Sequence, residues 1–566
     1  MTKAADELLT STRTTGQTVL DSDGVLKWAL HNGIVRTDLS HSDWFKQGCS
    51  VAASGNAPAG EQAYLVTEDS STGNHRISDN FTVDATVQYV VTADVKANGR
   101  DFYLMFPDVM FGTFVRWVFD LDAVSVTQEV SGTNDSATIT DLGDGWYRCE
   151  MKADATTTGT NSIYLGVHNG TSTNYTGDGN SGAFVARASV RRNDYTMQNT
   201  TDGDYFTEST GSRVFHLALE HYANGNPRGL QSYEGSTNEL THSEDFTDAS
   251  WTKDNTASLA IDATGPDGAT SAVTLVDSNA GGTGVVSARQ SVTVNTSSTY
   301  TFSVYMKQDQ LSWVRLRTIG FTTPGTAAVY FDLANGVLGS TSGSGLTGTI
   351  EDRGNGWYRC AITFTTDAAD TTGDLYISVA DADLGGAVDL DGTSSILIFG
   401  AQFEEKDWIT PYIPTSGSTV ARGADNIYIL TADFDFGSTA GSFVVEFDTD
   451  SGDFPNIVTI NDNTNNERYF TRRDGTSVDF LVQDGGVTQA DLALGTYVSG
   501  GTKTATAYAE NDFSGSYNGG AVVTDTSGTL PTVDRMRLGF NLNGYIQSVY
   551  YYKSRLPDAT LVTEST

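Results

Sequence analysis

Basic residues are scarce in this chain. Lys and Arg number 33 against 70 Asp and Glu, for a formal charge of −37. A surface this acidic repels phosphate backbones and anionic lipid, which argues against nucleic acid and membrane surfaces as partners. Long apolar runs are missing too. Nothing approaches the ~18 consecutive apolar residues that mark a membrane span, and the opening Met1–Leu9 has no apolar h-region, so no secretory signal is expected. The cysteines are few and odd in number, Cys49, Cys149 and Cys360. That excludes a disulfide framework and points to thiols in a reducing cytoplasm. Coiled-coil heptads are absent. The seven His include no His-x-x-x-His pair, and there is neither a Gly-x-Ser-x-Gly elbow nor a phosphate-binding loop with a Lys.

What is present is glycine (59 residues against 10 Pro), with Ser, Thr, Asp and Asn crowded between short apolar runs. That texture is all-β. Within it, Gly145-Trp146-Tyr147-Arg148-Cys149 recurs as Gly356-Trp357-Tyr358-Arg359-Cys360, 211 positions on. Tyr89 and Lys96 match Tyr300 and Lys307, Phe119-Asp120-Leu121 matches Phe331-Asp332-Leu333, and Trp44 with Lys46 matches Trp251 with Lys253. Offsets that drift by only a few residues mean one domain present twice.

The organisation follows: an arm at 1–42, a first sandwich at 43–195, a connector at 196–240, its repeat at 241–413, a linker at 414–424 and a third sandwich at 425–566. The fold class expected is all-β, with three antiparallel β-sandwiches of jelly-roll or lectin type, the first two an internal repeat. The third is expected to end in a short helix starting near Pro557-Asp558.

The second copy's Ser243-Glu244-Asp245-Phe246, Trp251-Thr252-Lys253, Tyr300-Thr301-Phe302-Ser303-Val304-Tyr305, Gly356-Trp357-Tyr358-Arg359 and Tyr412-Ile413-Pro414-Thr415 resemble a carbohydrate-binding-module-like sandwich of tailed-bacteriophage virion proteins. The region 425–566 is similar to concanavalin A-like, laminin G-type lectin domains, through Leu538-Gly539-Phe540, Asn543-Gly544-Tyr545-Ile546 and Tyr551-Tyr552-Lys553-Ser554-Arg555-Leu556. The first copy departs from the pattern, with Ser189-Val190-Arg191-Arg192 where the second has Gln402-Phe403-Glu404-Glu405. The resemblance implies a virion structural protein on the particle exterior, a tail fibre, tail tip or capsid fibre, that adheres to the host surface. Its implied partners are other virion proteins and a host surface polysaccharide, with assembly as a homotrimer or another homo-oligomer. A capsid decoration protein without glycan binding is the alternative, and a glycan depolymerase a third.

A sugar site needs an aromatic face against the apolar side of a pyranose, with acids or amides for its hydroxyls. Trp146 and Trp357 follow tight turns and are expected as core plugs. Trp117 and Trp313 lack Trp counterparts in the repeat, which makes them candidate glycan platforms. The third domain has no Trp, so Tyr469, Tyr497 and Tyr517 are its candidates. Glu446, Asp448 and Asp450 share one face of a strand at period 2, the disposition that a retaining glycosidase uses. The second Glu of such a motif is replaced here by Asp450 and no Trp is near, so no enzyme is expected. No cofactor is expected either. Calcium is the one candidate metal, through Asp450, Asp453 and Asp462 in Asp/Asn-rich turns.

Overall fold

The computed structural model describes residues 10–12, 17–20, 23–29, 39–40, 44–57, 62–83, 88–107, 109–132, 135–192, 219–257, 259–432, 434, 436–449 and 455–566. The fold is all-β, built of antiparallel sheets with a single short α-helix, Asp558–Glu564, among the described residues. The chain divides into two compact units, Trp28–His216 and a second made of Met1–Lys27 with Leu217–Thr566.

The first unit holds one sandwich of two six-stranded sheets. One runs, edge to edge, through Ser125–Val130, Val115–Asp120, Asp101–Phe106, Gly159–His168, Arg76–Val83 and Phe45–Gln47. The other runs through Ser136–Gly143, Trp146–Asp154, Gln88–Asn98, Gly182–Arg192, Gln62–Glu68 and Cys49–Asn56. Alternate residues of these strands, Phe102, Leu104, Phe119, Cys149, Met151 and Val167 among them, fill the space between the sheets.

The second unit repeats that sandwich strand for strand. Its first sheet runs Val337–Ser342, Ala327–Asp332, Trp313–Ile319, Thr372–Ala380, Ser287–Thr293, Thr252–Asp254. Its second runs Thr347–Asp352, Trp357–Thr365, Thr299–Gln308, Ser395–Glu404, Thr270–Val276, Ile261–Thr264. The repeated motif is a hairpin device. Asp144-Gly145 and Asn355-Gly356 place both turn residues at positive φ, between 52° and 79°. That backbone matches the twist of the flanking strands and suits Asp-Gly and Asn-Gly. The partner lysines then close each turn: Lys96 Nζ donates to the Asp144 carbonyl at 2.7 Å and Lys307 Nζ to that of Asn355 at 2.8 Å.

Period 2 from this turn corrects one expectation. Cys149 and Cys360 point between the sheets, so Trp146 and Trp357 point the other way. Both indoles are buried, but on the outward side of their sheets, Trp146 with Ala57, Ala63 and Ala186, and Trp357 with Leu26, Tyr305, Phe399 and Tyr412. All three cysteines are free thiols. Burial pushes Cys149 and Cys360 well above the ordinary thiol range and Cys49 up to about 11.

The third sandwich pairs two seven-stranded sheets around Phe443, Phe447, Ile460, Tyr469, Phe480 and Tyr508. Its strands are not confined to 425–566. Thr10–Thr12 of the arm pairs with Asn426–Leu430. From the connector, Pro227–Ser232 pairs with Gly544–Tyr552, and Leu219–His221 lies outside it. Pro227 opens a strand, where its missing N–H costs no ladder bond. The closing helix begins after Pro557 and buries Leu561.

Candidate functional site

Of the five aromatic residues singled out from the sequence, Trp313 stands on the outward face of a sheet, half-buried against Ala328, Tyr330 and Ala380. Trp117 does not. It lies opposite inward-facing Leu104, packs against the first core, and donates its indole Nε1–H to Asp135 at 2.9 Å. Tyr469 is 0% exposed and Tyr517 is buried; both belong to the third core, because their strands turn them inward. The Tyr517 hydroxyl accepts from the Val498 amide at 3.0 Å. Tyr497 is half-buried. Its hydroxyl donates to Asp448 at 2.6 Å, and Arg473 covers its ring at 4.0 Å. These residues are structural: Tyr517 and Tyr497 satisfy their hydroxyls at the rim of the core, and Tyr469 is buried inside it with its hydroxyl unpartnered.

The acidic motif is placed similarly. Glu446 and Asp448 share the outward face of Ala440–Thr449, where Ser548 donates to Glu446 at 3.3 Å and Tyr497 holds Asp448. Asp450 and Asp453 lie outside the described residues. Asp462 closes a turn by accepting from the amide and hydroxyl of Thr464, at 2.9 and 2.6 Å. Among the described residues no cluster of three or more His, Cys, Asp or Glu side chains is arranged to hold a metal ion.

Around Trp313 the register builds a face. Along Trp313–Ile319, Val314 and Leu316 enter the core, so Trp313, Arg315 and Arg317 point outward. Trp313 is flanked by Asp332 and Ala380, Arg315 by Tyr330 and Ser378, and Arg317 by Ala328 and Tyr376. The next strand sets Arg289 beside Tyr376. The Tyr376 ring therefore lies between two guanidinium groups, Arg317 at 5.1 Å and Arg289 at 5.6 Å. Arg289 is held by Asp374 at 3.2 Å and Asp254 at 3.6 Å. Arg315 donates to the Tyr330 hydroxyl at 2.9 Å and the Gly386 carbonyl at 3.0 Å. Arg317 has no hydrogen-bond or ion-pair partner among the described residues. Burial and the neighbouring Arg315 push its pKa down.

Sequence reasoning identified Trp313 and missed Arg289, Arg317, Tyr330 and Tyr376. A signal was available, since Tyr164 and Tyr376 are repeat-equivalents. In the first sandwich Arg76 covers Tyr164 at 3.5 Å, as Arg289 covers Tyr376. That copy has Asp101 where the second has Trp313, and Met105 where it has Arg317. It keeps the stacked pair and lacks the platform.

A second charged cluster joins the second and third sandwiches within the same unit. Glu220, 1% exposed, meets Arg353 at 2.6 Å and accepts from the Leu20 amide at 2.8 Å and Gln231 at 2.9 Å. Arg353 reaches Glu351 at 3.4 Å, and Arg228 pairs with the same carboxylate. Burial pushes Glu220 up despite Arg353. Burial acts on Glu351 in the same sense, but Arg353 and Arg228 outweigh it and hold that carboxyl at about 2, against an ordinary 4.5. A depressed carboxyl adds stability above its unfolded pKa and loses it as pH falls through the folded value. The junction is therefore expected to weaken between about pH 4.5 and pH 2. The contribution of Glu220 changes only above its ordinary range. Melting curves across that acid window check this: wild type should lose more stability than Glu351→Gln.

No family model matches the chain, and no curated protein matches it. Among solved structures it is similar to the CBM40 of the Ruminococcus gnavus IT-sialidase, at 13% identity over 23% of this chain and 84% of that one, with a TM-score of 0.21. It is similar to the tandem CBM22-1–CBM22-2 domains of Paenibacillus barcinonensis Xyn10C, at 12% identity over 67% of this chain and 99% of that one, with a TM-score of 0.22. A third is the LG1-3 region of the laminin α2 chain, at 10% identity over 86% of this chain and 97% of that one, with a TM-score of 0.18.

Proposed function

We propose that the chain is a non-catalytic glycan-binding protein whose second sandwich carries the sugar site on its open sheet face. The observation that supports this is the constellation of Trp313, Tyr376 and Arg317 on one outward face. The Trp313 indole offers an apolar plane to a pyranose, and Tyr376, its faces taken by Arg289 and Arg317, offers its ring edge and hydroxyl. Arg317 offers donors not used within the described fold, and Asp332, Asp374 and Ser378 offer acceptors for hydroxyls. Hydrolysis is not part of the proposal, because Asp448 is committed to Tyr497 beside the Glu446 carboxyl.

The finer reading is a tailed-bacteriophage virion protein, displayed on the tail or capsid exterior of a particle assembled in the host cytoplasm. It rests on the resemblance of the Ser243–Lys253, Gly356–Arg359 and Leu538–Leu556 stretches. Weak sugar contacts would gain from copy number in a homo-oligomer, since linked sites raise effective concentration. For the first sandwich a decoration role without glycan binding fits better, because Asp101 and Met105 replace the platform. A glycan array probed with the full chain tests the binding. Retention of at least one surface polysaccharide supports it, and no retention at any density overturns it. Antibody against residues 425–566 on purified particles tests the location: absence of label removes the virion reading.

A further inference from the structure

On its other sheet the second sandwich borders a cavity of about 370 Å³, closed by the turn around Trp408, by connector residues and by Tyr545 of the third sandwich. This lies within the ~300–1,000 Å³ range of small-molecule sites. Three polar groups in its wall are buried without a hydrogen-bond partner: the Tyr305 hydroxyl, the Trp408 indole Nε1–H and the Arg359 Nε–H. Tyr305 is itself 0% exposed. Orphaned groups of this kind cost about 1–3 kcal/mol each and are rare in native proteins.

The internal repeat tells what is missing. In the first sandwich Arg148 lies opposite Asp94 in the register and makes a two-pronged pair with it, at 2.8 and 3.0 Å. In the second, Arg359 occupies the same place, but the residue opposite is Tyr305. The guanidinium stacks over that ring at 5.2 Å and donates to neutral acceptors, the Thr410 carbonyl at 2.7 Å and the Ser303 hydroxyl at 3.1 Å. The nearby carboxylates are already engaged, Glu220 and Glu351 by Arg353 and Arg228. Asp407 stands at the exposed rim. The second copy thus keeps the cation and opens a cavity beside it, while the facing carboxylate moves to the other neighbouring strand, where Glu351 replaces Thr140 and is held by Arg353 and Arg228.

We propose that this cavity binds a small carboxylate-bearing sugar of the hexuronate class. Its carboxylate pairs with Arg359 from the cavity side, as Asp94 pairs with Arg148 across the register, since the Tyr305 ring fills the place of Asp94 itself. Its hydroxyls meet the Tyr305 hydroxyl and the Trp408 Nε1–H, with the indole as an apolar wall. The inference stands on the cavity and the repeat comparison, and does not depend on the open face around Trp313.

Calorimetric titration of the full chain with glucuronate, glucose and acetate tests it. Glucuronate should bind roughly ten-fold or more tightly than either of the others, the scale of one charge-assisted hydrogen bond set. Tyr305→Asp restores the pairing of the first copy and should abolish the preference. Trp408→Phe keeps the ring, removes the donor and should weaken binding several-fold. Equal affinity for glucuronate and glucose overturns the proposal, as does a preference that survives in folded Tyr305→Asp. If Tyr305→Asp does not fold, unchanged affinity in Trp408→Phe overturns it instead. Loss of glucuronate binding in Trp313→Ala would assign the ligand to the open face, and overturns it too.

Discussion

Replacing Trp313 and Tyr376 together by alanine should abolish retention of every glycan that the intact chain holds, while leaving the melting of the second sandwich nearly unchanged. Both side chains sit on the outward face, half-buried, and neither belongs to the core between the sheets. Truncation of an aromatic anchor in a binding face costs about 2 kcal/mol or more, some thirty-fold in affinity, and two anchors in one face compound the loss. The arginines beside Tyr376 survive its removal differently. Arg289 keeps Asp254 and Asp374, whereas Arg317 loses its ring. Arg317→Ala alone should therefore weaken retention less than the double variant, and most for acidic glycans. Trp117→Ala supplies the contrast. It removes a ring from the first core and leaves Asp135 without its indole donor, so it should lower the melting temperature and spare glycan retention. Affinity electrophoresis and thermal melts on the same preparations decide the matter. A double variant that still binds as the parent does would remove the open face from the proposal.

Arg353→Leu is expected to be the most damaging single change at the junction of the second and third sandwiches. It strips a buried Glu220 of its cation and leaves a carboxylate that is 1% exposed. Breaking a buried pair in this way costs about 3–5 kcal/mol, because the remaining charge is uncompensated. The double variant Arg353→Leu with Glu220→Leu should recover much of that loss, since the penalty lies in the orphaned charge. A chain with several sandwiches is not expected to melt in one step, so the quantity to follow is the transition of the unit that holds residues 217–566. If the double variant melts no higher than the single one, the network holds the junction by shape and not by charge.

Much of the architecture was legible from local chemistry. The Asp144-Gly145 and Asn355-Gly356 turns announce hairpins because few residues tolerate two consecutive positive φ values. Once those turns are placed, period 2 decides that Cys149 and Cys360 face inward. Applied strictly, the same rule turns Trp146 and Trp357 outward, against the intuition that a large indole fills the nearest core. The strands that the arm and the connector lend to the third sandwich were not legible. Thr10–Thr12 and Pro227–Ser232 are short, and nothing in a three- to six-residue strand states which distant strand will accept its hydrogen bonds.

The sequence by itself determined that the fold is all-β, that one sandwich occurs twice, and that the formal charge is strongly negative. These follow from periodicity, turn residues and charge, which act over a few residues or over the whole surface. Only the tertiary structure decided which aromatic residues are available. Trp117, Tyr469 and Tyr517 went inside and Trp313 stayed outside, because availability depends on which face of a strand is covered by the opposite sheet. It also decided that Tyr376 lies between Arg289 and Arg317, and that Arg359 faces Tyr305 where Arg148 faces Asp94. Those pairs join residues far apart in the chain, and the register of the strands between them is set by packing and not by either residue alone.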